Sequence, residues 1–124
     1  MASFFQASLT TVPGKQLSPN ICKDGLGGAY VIWDDRSEVA QGEIFATHIS
    51  ADGNIVEPGV GVLIMNHPMG SRSGISLETG GSGHAVLGWA DDRDEGTLYK
   101  IYSQRIDQGC NTLWSNPDEG GVLV

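Results

Sequence analysis

The hydrophobic positions of this chain fall in short runs, and glycine-rich or polar turns separate the runs. GAYVIW and HAVLGW are the clearest examples, and no stretch carries an apolar stripe at helical spacing. Eighteen glycines and five prolines lie mostly between the runs, and both residue types are unfavourable inside helices. The pattern therefore predicts an all-β protein.

The runs occur in the same order twice. A shift of 56 positions aligns the two strongest apolar runs, with Ala29, Val31 and Trp33 on Ala85, Leu87 and Trp89. A shift of 57 aligns two Asp-Asp-Arg loops, residues 34–36 with 91–93, which predicts that Ala90 is a one-residue insertion. A shift of 60 aligns residues 61–64 with 121–124. The chain is therefore expected to contain an internal repeat.

Each repeat has the size and order of one propeller blade, with four short antiparallel strands in roughly 57 residues. We predict two four-stranded antiparallel propeller-type blades. The expected boundaries are an N-terminal strand segment at residues 1–18 that completes a neighbouring blade, blade repeat 1 at 19–65 and blade repeat 2 at 66–124.

Successive side chains of a strand point to opposite faces. In the first apolar run, Val31 and Trp33 share one face, and Tyr30 and Ile32 share the other. Because both sets are apolar, the strand is expected to be buried on both faces inside a stack of sheets. Trp33 and Trp89 are then core residues between neighbouring blades, and an exposed ligand-stacking platform is the alternative.

The segments DGLGGAYVIWDDR and IFATHISADGN resemble the repeats of sialidase-like (BNR-type) bacterial β-propellers. The resemblance covers both repeats and implies propeller blades from a surface or secreted protein. The turn motif of that family, Ser-x-Asp-x-Gly-x-Thr-Trp, is incomplete in both copies: Ser50, Asp52 and Gly53 in one, and Asp107, Gly109 and Trp114 in the other. The catalytic arginine triad and tyrosine of true sialidases belong to a six-bladed ring, and no position here is assigned to them.

Two blades leave two open faces, whereas propellers usually have four to eight blades. We expect a homo-oligomeric ring, in which a dimer supplies four blades, a trimer six and a tetramer eight. A fragment of a longer protein and a two-sheet monomer are the alternatives.

In a four-stranded meander, the loop after the second strand and the link to the next blade lie at the same end. The candidate ligand-binding residues at this end are Asp34, Asp35, Arg36, Asp91, Asp92, Arg93, His67 and Arg72. Carboxylates bind sugar hydroxyls or calcium, and arginine pairs with carboxylates, including those of acidic sugars. The favoured alternative is structural: each arginine pairs with an aspartate of its own or the next blade and fixes the loop.

The formal charge of −8 excludes the basic surface that nucleic-acid binding requires and disfavours an anionic membrane surface. No run approaches the roughly 20 apolar residues of a membrane span. The first residues lack the features of a secretory signal, so a cytoplasmic location is the default, although the resemblance favours a secreted or cell-surface one.

No cofactor is predicted apart from a weak possibility of calcium. His48, His67 and His84 have no metal-binding spacing, and His48 is expected to be a structural histidine within a strand. Cys22 and Cys110 are expected to be unpaired, with a disulfide as the alternative.

The predicted function is a non-catalytic binding or interaction module for a carbohydrate or a protein. The alternatives are a sialidase-like glycoside hydrolase fragment and a purely structural repeat protein. The adjacent Asp34 and Asp35 point to opposite sides of a strand, so an acid–base pair would have to join Asp35 and Asp92 across the blades.

Overall fold

The computed structural model describes residues 14–37, 42–68, 70–93 and 98–124. Within these ranges the chain forms eight β-strands and no helix. The strands are β1 (Gln16–Lys23), β2 (Ala29–Asp35), β3 (Glu43–Ile49), β4 (Val62–Met65), β5 (Arg72–Gly81), β6 (His84–Asp91), β7 (Lys100–Ile106) and β8 (Val122–Leu123). The all-β prediction is confirmed.

The strands form two antiparallel meanders of four strands each. Sheet 1 has the order β1-β2-β3-β4, and sheet 2 has the order β5-β6-β7-β8. The first strand begins earlier than the sequence indicated, because Gln16 and Leu17 already pair with Asp35 and Asp34 of β2. Residues 16–18 are thus part of sheet 1, and residues 1–13 of the predicted N-terminal segment lie outside the described residues.

The register of the strands corrects one sequence prediction. Ala90 pairs with Ile101 and Asp91 with Lys100 in an unbroken ladder, so Ala90 is not an insertion. Asp91 therefore corresponds to Asp35, since both follow their tryptophan by two residues and each pairs with the first residue of the next strand. An extra residue within β6 would have turned the following side chains to the other face. The extra residue of the second repeat lies instead between Arg93 and Lys100.

Directly paired residues of neighbouring strands share a face. Tyr30, Ile32, Ile44 and Ala46 lie on one face of sheet 1, the Tyr30 face, and they are 0–1% exposed. This face packs against the face of sheet 2 that carries Trp89, and the two form a single core. Its residues are Tyr30, Ile32, Ile44, Ala46, Ile64 and Met65 of sheet 1 and Leu77, Ala85, Leu87, Trp89, Tyr102, Ile106 and Cys110 of sheet 2.

The first strands of the two sheets are in direct contact. The Asn20 side-chain amide donates to the carbonyl of Ile75 at 3.0 Å, and the Thr79 hydroxyl donates to the carbonyl of Lys23 at 2.6 Å. These bonds join β1 to β5 side by side, while the apolar faces of the following strands supply the core between the sheets.

Burial on both faces is confirmed for β2, where every residue from Tyr30 to Asp35 is buried. In β6, burial alternates with intermediate exposure, because no described strand covers the face that carries Val86 and Gly88. Trp89 lies between the sheets as predicted. Trp33 is also buried, but it lies on the face of sheet 1 that points away from sheet 2.

The backbone of a glycine lies against the edge of each of these two indole rings. Gly61 and Gly121 have φ values of +84° and +87°. A Cβ atom would lie 2.5 Å from Cη2 of Trp33 at Gly61, and 2.6 Å from Cη2 of Trp89 at Gly121. Both the backbone angle and the space therefore require glycine before the last strand of each sheet.

Candidate functional site

The candidate residues lie at one end of the two sheets, where β2 and β6 end and β5 begins. We call residues 34–37, 66–68, 70–72 and 91–93 the Asp–Arg end. All eight sequence-predicted residues are found there: Asp34, Asp35, Arg36, His67, Arg72, Asp91, Asp92 and Arg93. The prediction that the meander gathers them at one end agrees with the strand order.

A buried carboxylate forms the centre of this end in sheet 2. Oδ2 of Asp91 lies 3.3 Å from Nε of Arg72 and 2.7 Å from Nη2 of Arg93. The side chains of Asp91 and Arg72 are fully buried, and that of Arg93 is 6% exposed. The indole N–H of Trp89 donates to the same oxygen at 3.3 Å, and the backbone N–H of Arg93 donates to Oδ1 at 2.8 Å. Both carboxylate oxygens of Asp91 therefore accept hydrogen bonds from groups of this chain.

The other donors of Arg72 hold the link between the sheets. Nη1 donates to the carbonyl of Gly70 at 3.0 Å, and Nη2 donates to the carbonyl of His67. His67 thus offers its backbone oxygen to Arg72. Burial lowers the pKa of Arg72, and the attraction of Asp91 opposes that effect. The guanidinium thus fixes the conformation of the link.

Arg93 fixes the turn before β8 in the same way. Its Nη1 donates to the carbonyl of Glu119 at 3.0 Å, and its Nη2 to the carbonyl of Gly120 at 2.7 Å. The guanidinium carbon lies 3.7 Å from the centroid of the Tyr102 ring, within the range of a cation–π contact. A charged group packed in this way stabilises a loop.

Asp35 is the equivalent carboxylate of sheet 1, and neutral donors surround it. The backbone N–H of Ser37 donates to Oδ1 at 2.9 Å, and the side-chain amide of Gln16 donates to Oδ2 at 3.3 Å. Gln16 begins β1 as Arg72 begins β5. The second repeat therefore has a buried ion pair where the first has a neutral hydrogen bond.

Arg36 connects the two sheets. Its Nε lies 2.9 Å from Oδ2 of Asp34, and its Nη2 donates to the backbone carbonyl of Arg72 at 3.3 Å. Asp92 accepts the backbone N–H of Ser71. Asp35 and Asp92 thus bond to separate local groups.

The pKa values of the central carboxylates follow from these contacts. Burial raises the pKa of Asp91, but the hydrogen bonds and charge of Arg93 and the charge of Arg72 outweigh it and place the pKa below 3.8. Burial also opposes ionisation of Asp35, while donors from Ser37 and Gln16 lower its pKa. Both groups are carboxylates at neutral pH, and the arrangement matches the structural alternative in which each arginine pairs with an aspartate.

A cavity of about 490 Å³ opens beside this cluster and is lined by Gly14, Lys15, Arg36 and Ser37. The Arg36 side chain is 31% exposed there. Two cationic side chains on one cavity are notable in a chain with a net charge of −8.

A second buried polar cluster lies at the opposite end, and the sequence did not indicate it. Nε2 of His48 lies 2.7 Å from Oδ2 of Asp24, whose Oδ1 accepts the backbone N–H groups of Leu26 and Gly28 at 2.7 and 2.8 Å. The hydrogen bond with His48 is the main reason that the pKa of Asp24 is lowered. The aspartate that opens the DGLGG turn was the available signal. His48 is thus held inside sheet 1, in keeping with the structural role expected for it.

The Tyr30 ring packs 4.7 Å from the ring of His48. Its hydroxyl donates to the carbonyl of Gly83 in the turn between β5 and β6. The buried cluster therefore also joins the two sheets, at the end opposite to Arg36.

The sequence predicted open outer faces but not the residues that form the one on sheet 2. We call it the Ile101 face, and its residues are Val86, Gly88, Ala90, Ile101, Ser103, Arg105 and Val122. Ile101 is 51% exposed and Val122 is 37% exposed. The neighbouring Leu98, Tyr99 and Val124 are 69%, 57% and 82% exposed. Their exposure depends on which face of sheet 2 meets sheet 1, and the alternating pattern alone does not decide that.

Both cysteines are free thiols. No group of three or more potential metal-binding side chains occurs in the described part of the chain. The same residues contain no helix that is long and apolar enough to cross a bilayer.

Comparisons with models of protein families, with curated proteins and with solved structures gave no match to this chain.

Proposed function

We propose that the chain is a non-catalytic interaction module of two β-propeller-type blades, related to the BNR-type repeats that its sequence resembles. The observation that carries the proposal is the contrast between its two surfaces. The aspartates and arginines of the Asp–Arg end bond to other groups of the chain, whereas the Ile101 face leaves large apolar side chains exposed.

The stacking of the sheets supports the assignment of blades. Both sheets are four-stranded meanders, and their first strands lie side by side as the inner strands of neighbouring blades do. The Tyr30 face of sheet 1 packs on the Trp89 face of sheet 2, and Trp89 is the equivalent of Trp33. The two sheets therefore follow each other in the same orientation.

The acid–base properties of the Asp–Arg end support a non-catalytic role. A glycoside hydrolase needs one carboxylic acid that stays protonated near the working pH, so its pKa is raised. Asp35 and Asp91 have lowered pKa values instead, because protein donors bind their charged forms. Both carboxylates are thus held in their charged form by groups of the chain and are not poised to donate a proton.

The exposed side chains favour a protein as the partner. Contiguous apolar surface on a folded protein commonly marks an interaction site. The strand that carries Ile101 is preceded by the exposed Leu98 and Tyr99, and tyrosine is one of the residues enriched at interfaces.

The cavity beside Arg36 favours a second candidate, an acidic carbohydrate. Lys15 and Arg36 could bind its carboxylate, since arginine and lysine are the donors suited to that group. On a glycan array, retention of carboxylated glycans should disappear in the double variant Lys15→Gln/Arg36→Gln. Equal retention by the variant and the parent chain would remove this candidate.

The proposal is tested with fluorogenic glycosides, including sialosides, and with an apolar dye. We expect no hydrolysis; turnover that disappears in Asp91→Asn would show an enzyme and overturn the proposal. The emission of bis-ANS should rise on the native chain at low protein concentration and fall in Ile101→Lys, but not in Leu26→Lys, which changes another exposed aliphatic residue. Equal emission from both variants would contradict an open Ile101 face.

A further inference from the structure

Each of the two faces packed between the sheets has an equivalent on the outer surface of the other sheet. The contact inside the chain joins the Tyr30 face of sheet 1 to the Trp89 face of sheet 2. The remaining faces are the Ile101 face of sheet 2, equivalent to the Tyr30 face, and the Trp33 face of sheet 1, equivalent to the Trp89 face. The residues of the Trp33 face are Ile21, Ala29, Val31, Trp33, Phe45, Thr47 and Ile49.

On the Ile101 face, a position that is buried in sheet 1 is open in sheet 2. Ile101 corresponds to Ile44, because each lies one residue before the partner of the strand's tryptophan. Ile44 is 1% exposed against sheet 2, whereas Ile101 is 51% exposed. The same side chain at the same place in the sheet thus lacks the covering layer that sheet 2 gives to sheet 1.

The Trp33 face shows the reverse relation. Ile21 pairs with Val31 as Leu77 pairs with Leu87, so Ile21 and Leu77 occupy equivalent positions. Leu77 is 8% exposed between the sheets, and Ile21 is 69% exposed. No described strand lies on this face. Its centre is nevertheless closed, since Val31, Trp33 and Thr47 are 0–9% exposed and Phe45 stacks on Trp33 with ring centroids 6.2 Å apart. The open part of the face is Ile21 with the half-buried Ala29, Phe45 and Ile49.

We infer that the partner of the Ile101 face is the Trp33 face of a second copy of this chain. The inference rests on the proposed interaction module and names its partner. Each copy would repeat the internal sheet-to-sheet contact at its two ends, so the interface is head-to-tail, and Ile101 of one copy lies near Ile21 and Phe45 of the next. A head-to-tail contact closes into a ring when the rotation per subunit allows it.

Two charged substitutions block the two faces separately. Ile101→Lys blocks one face and Ile21→Lys the other, and both side chains are exposed, so the fold should persist. Leu26→Lys is the matched control, since Leu26 is 60% exposed in the turn before β2 and the charge change is the same. Ile101→Ser and Ile21→Ser repeat the test if circular dichroism shows that a lysine variant is unfolded.

Molar mass is measured by light scattering over a range of concentrations. The native chain and Leu26→Lys should associate, and each face variant should raise the half-association concentration by about tenfold or more, as the loss of one apolar contact would do. An equimolar mixture of the two face variants should recover a one-to-one dimer, because each retains the face that the other lacks.

Each contrary outcome overturns the inference. A native chain that stays monomeric throughout, or association that neither variant weakens, would show that the two faces do not meet. Variants that weaken association without recovery on mixing would show a two-fold contact of identical faces. The proposed interaction module would still hold after such results if bis-ANS emission is lower with Ile101→Lys than with the native chain. Hydrolysis of a glycoside would instead contradict the proposed function itself.

Discussion

Gln16 and Arg72 occupy the same position in the two sheets, each at the start of a first strand and each paired with an aspartate of the next strand. Gln16 makes a hydrogen bond of 3.3 Å to Asp35, and Arg72 makes an ion pair of 3.3 Å to Asp91. The two repeats thus show that this position functions with either a neutral or a charged donor.

This equivalence predicts that substitutions of Arg72 and of Asp91 lower the free energy of unfolding by different amounts. Arg72→Gln leaves Asp91 bound to Arg93 and should lower the free energy of unfolding by about 1.5–3 kcal/mol, the range for hydrogen bonds to charged groups. Asp91→Ala leaves two buried guanidinium groups without their carboxylate and should cost about 3–5 kcal/mol. Urea denaturation measures both, and a smaller loss in Asp91→Ala than in Arg72→Gln would contradict the proposed central role of the carboxylate.

The lowered pKa of Asp91 predicts a loss of stability in acid. In the unfolded chain this carboxyl group takes up a proton near pH 3.8, while the native form resists protonation until a lower pH. The unfolded state therefore binds more protons in this window, and stability falls as the pH decreases through it. The contribution of Asp91 should be constant above the unfolded value and decline below it. In Asp91→Asn the urea midpoint should depend less steeply on pH below 3.8, and an unchanged slope would argue against the ion pair.

Because Gly61 and Gly121 lie against the indole rings of Trp33 and Trp89, a side chain at either glycine should destabilise the fold. Gly61→Ala and Gly121→Ala should each lower the free energy of unfolding by about 3 kcal/mol or more, from an unfavourable φ and a clash with the indole. Gly53→Ala is the control, since Gly53 has a φ of +88° and no atom lies within 4 Å of the place that a Cβ would take. It should cost only about 1–2 kcal/mol for the backbone angle. Thermal unfolding that ranks all three equally would rule out the indole contact.

The two free thiols should differ in reactivity. Cys110 is 1% exposed, and burial, with a smaller effect from Asp107, raises its pKa to about 12. Cys22 is only partly buried. Because the thiolate is the reactive form, iodoacetamide should label Cys22 well before Cys110 in the folded chain, and both at similar rates in urea. Peptide mass spectrometry reads the two sites separately, and equal labelling of the folded chain would contradict the burial of Cys110.

The sequence predicted the features that depend on local pattern. The alternation in GAYVIW was sufficient to place Trp33 and Tyr30 on opposite faces of the strand. The repeat was sufficient to predict two four-stranded meanders. The insertion was misplaced because the Asp-Asp-Arg letters match best at a shift of 57, whereas hydrogen-bond register, which letters do not show, makes Asp91 the equivalent of Asp35.

The candidate site shows the same division. Topology was sufficient to gather the eight polar residues at one end of the sheets. It could not show that Asp91 lies between Arg72 and Arg93, because that depends on side-chain reach and on how the link folds back. The Asp24–His48 pair was missed, since it depends on a contact between positions far apart in the chain. Open faces were expected, but the residues of the Ile101 face were not, because they depend on which face of sheet 2 meets sheet 1.

The three tryptophans place an optical probe in each environment of the molecule. Trp89 lies between the sheets at 1% exposure, Trp33 lies on the outer face of sheet 1 at 4%, and Trp114 is 45% exposed. A chain that keeps only Trp89 would emit from the plane where the two repeats meet. Its emission would shift to longer wavelength when the two sheets separate, and that separation could be followed independently of unfolding within either sheet.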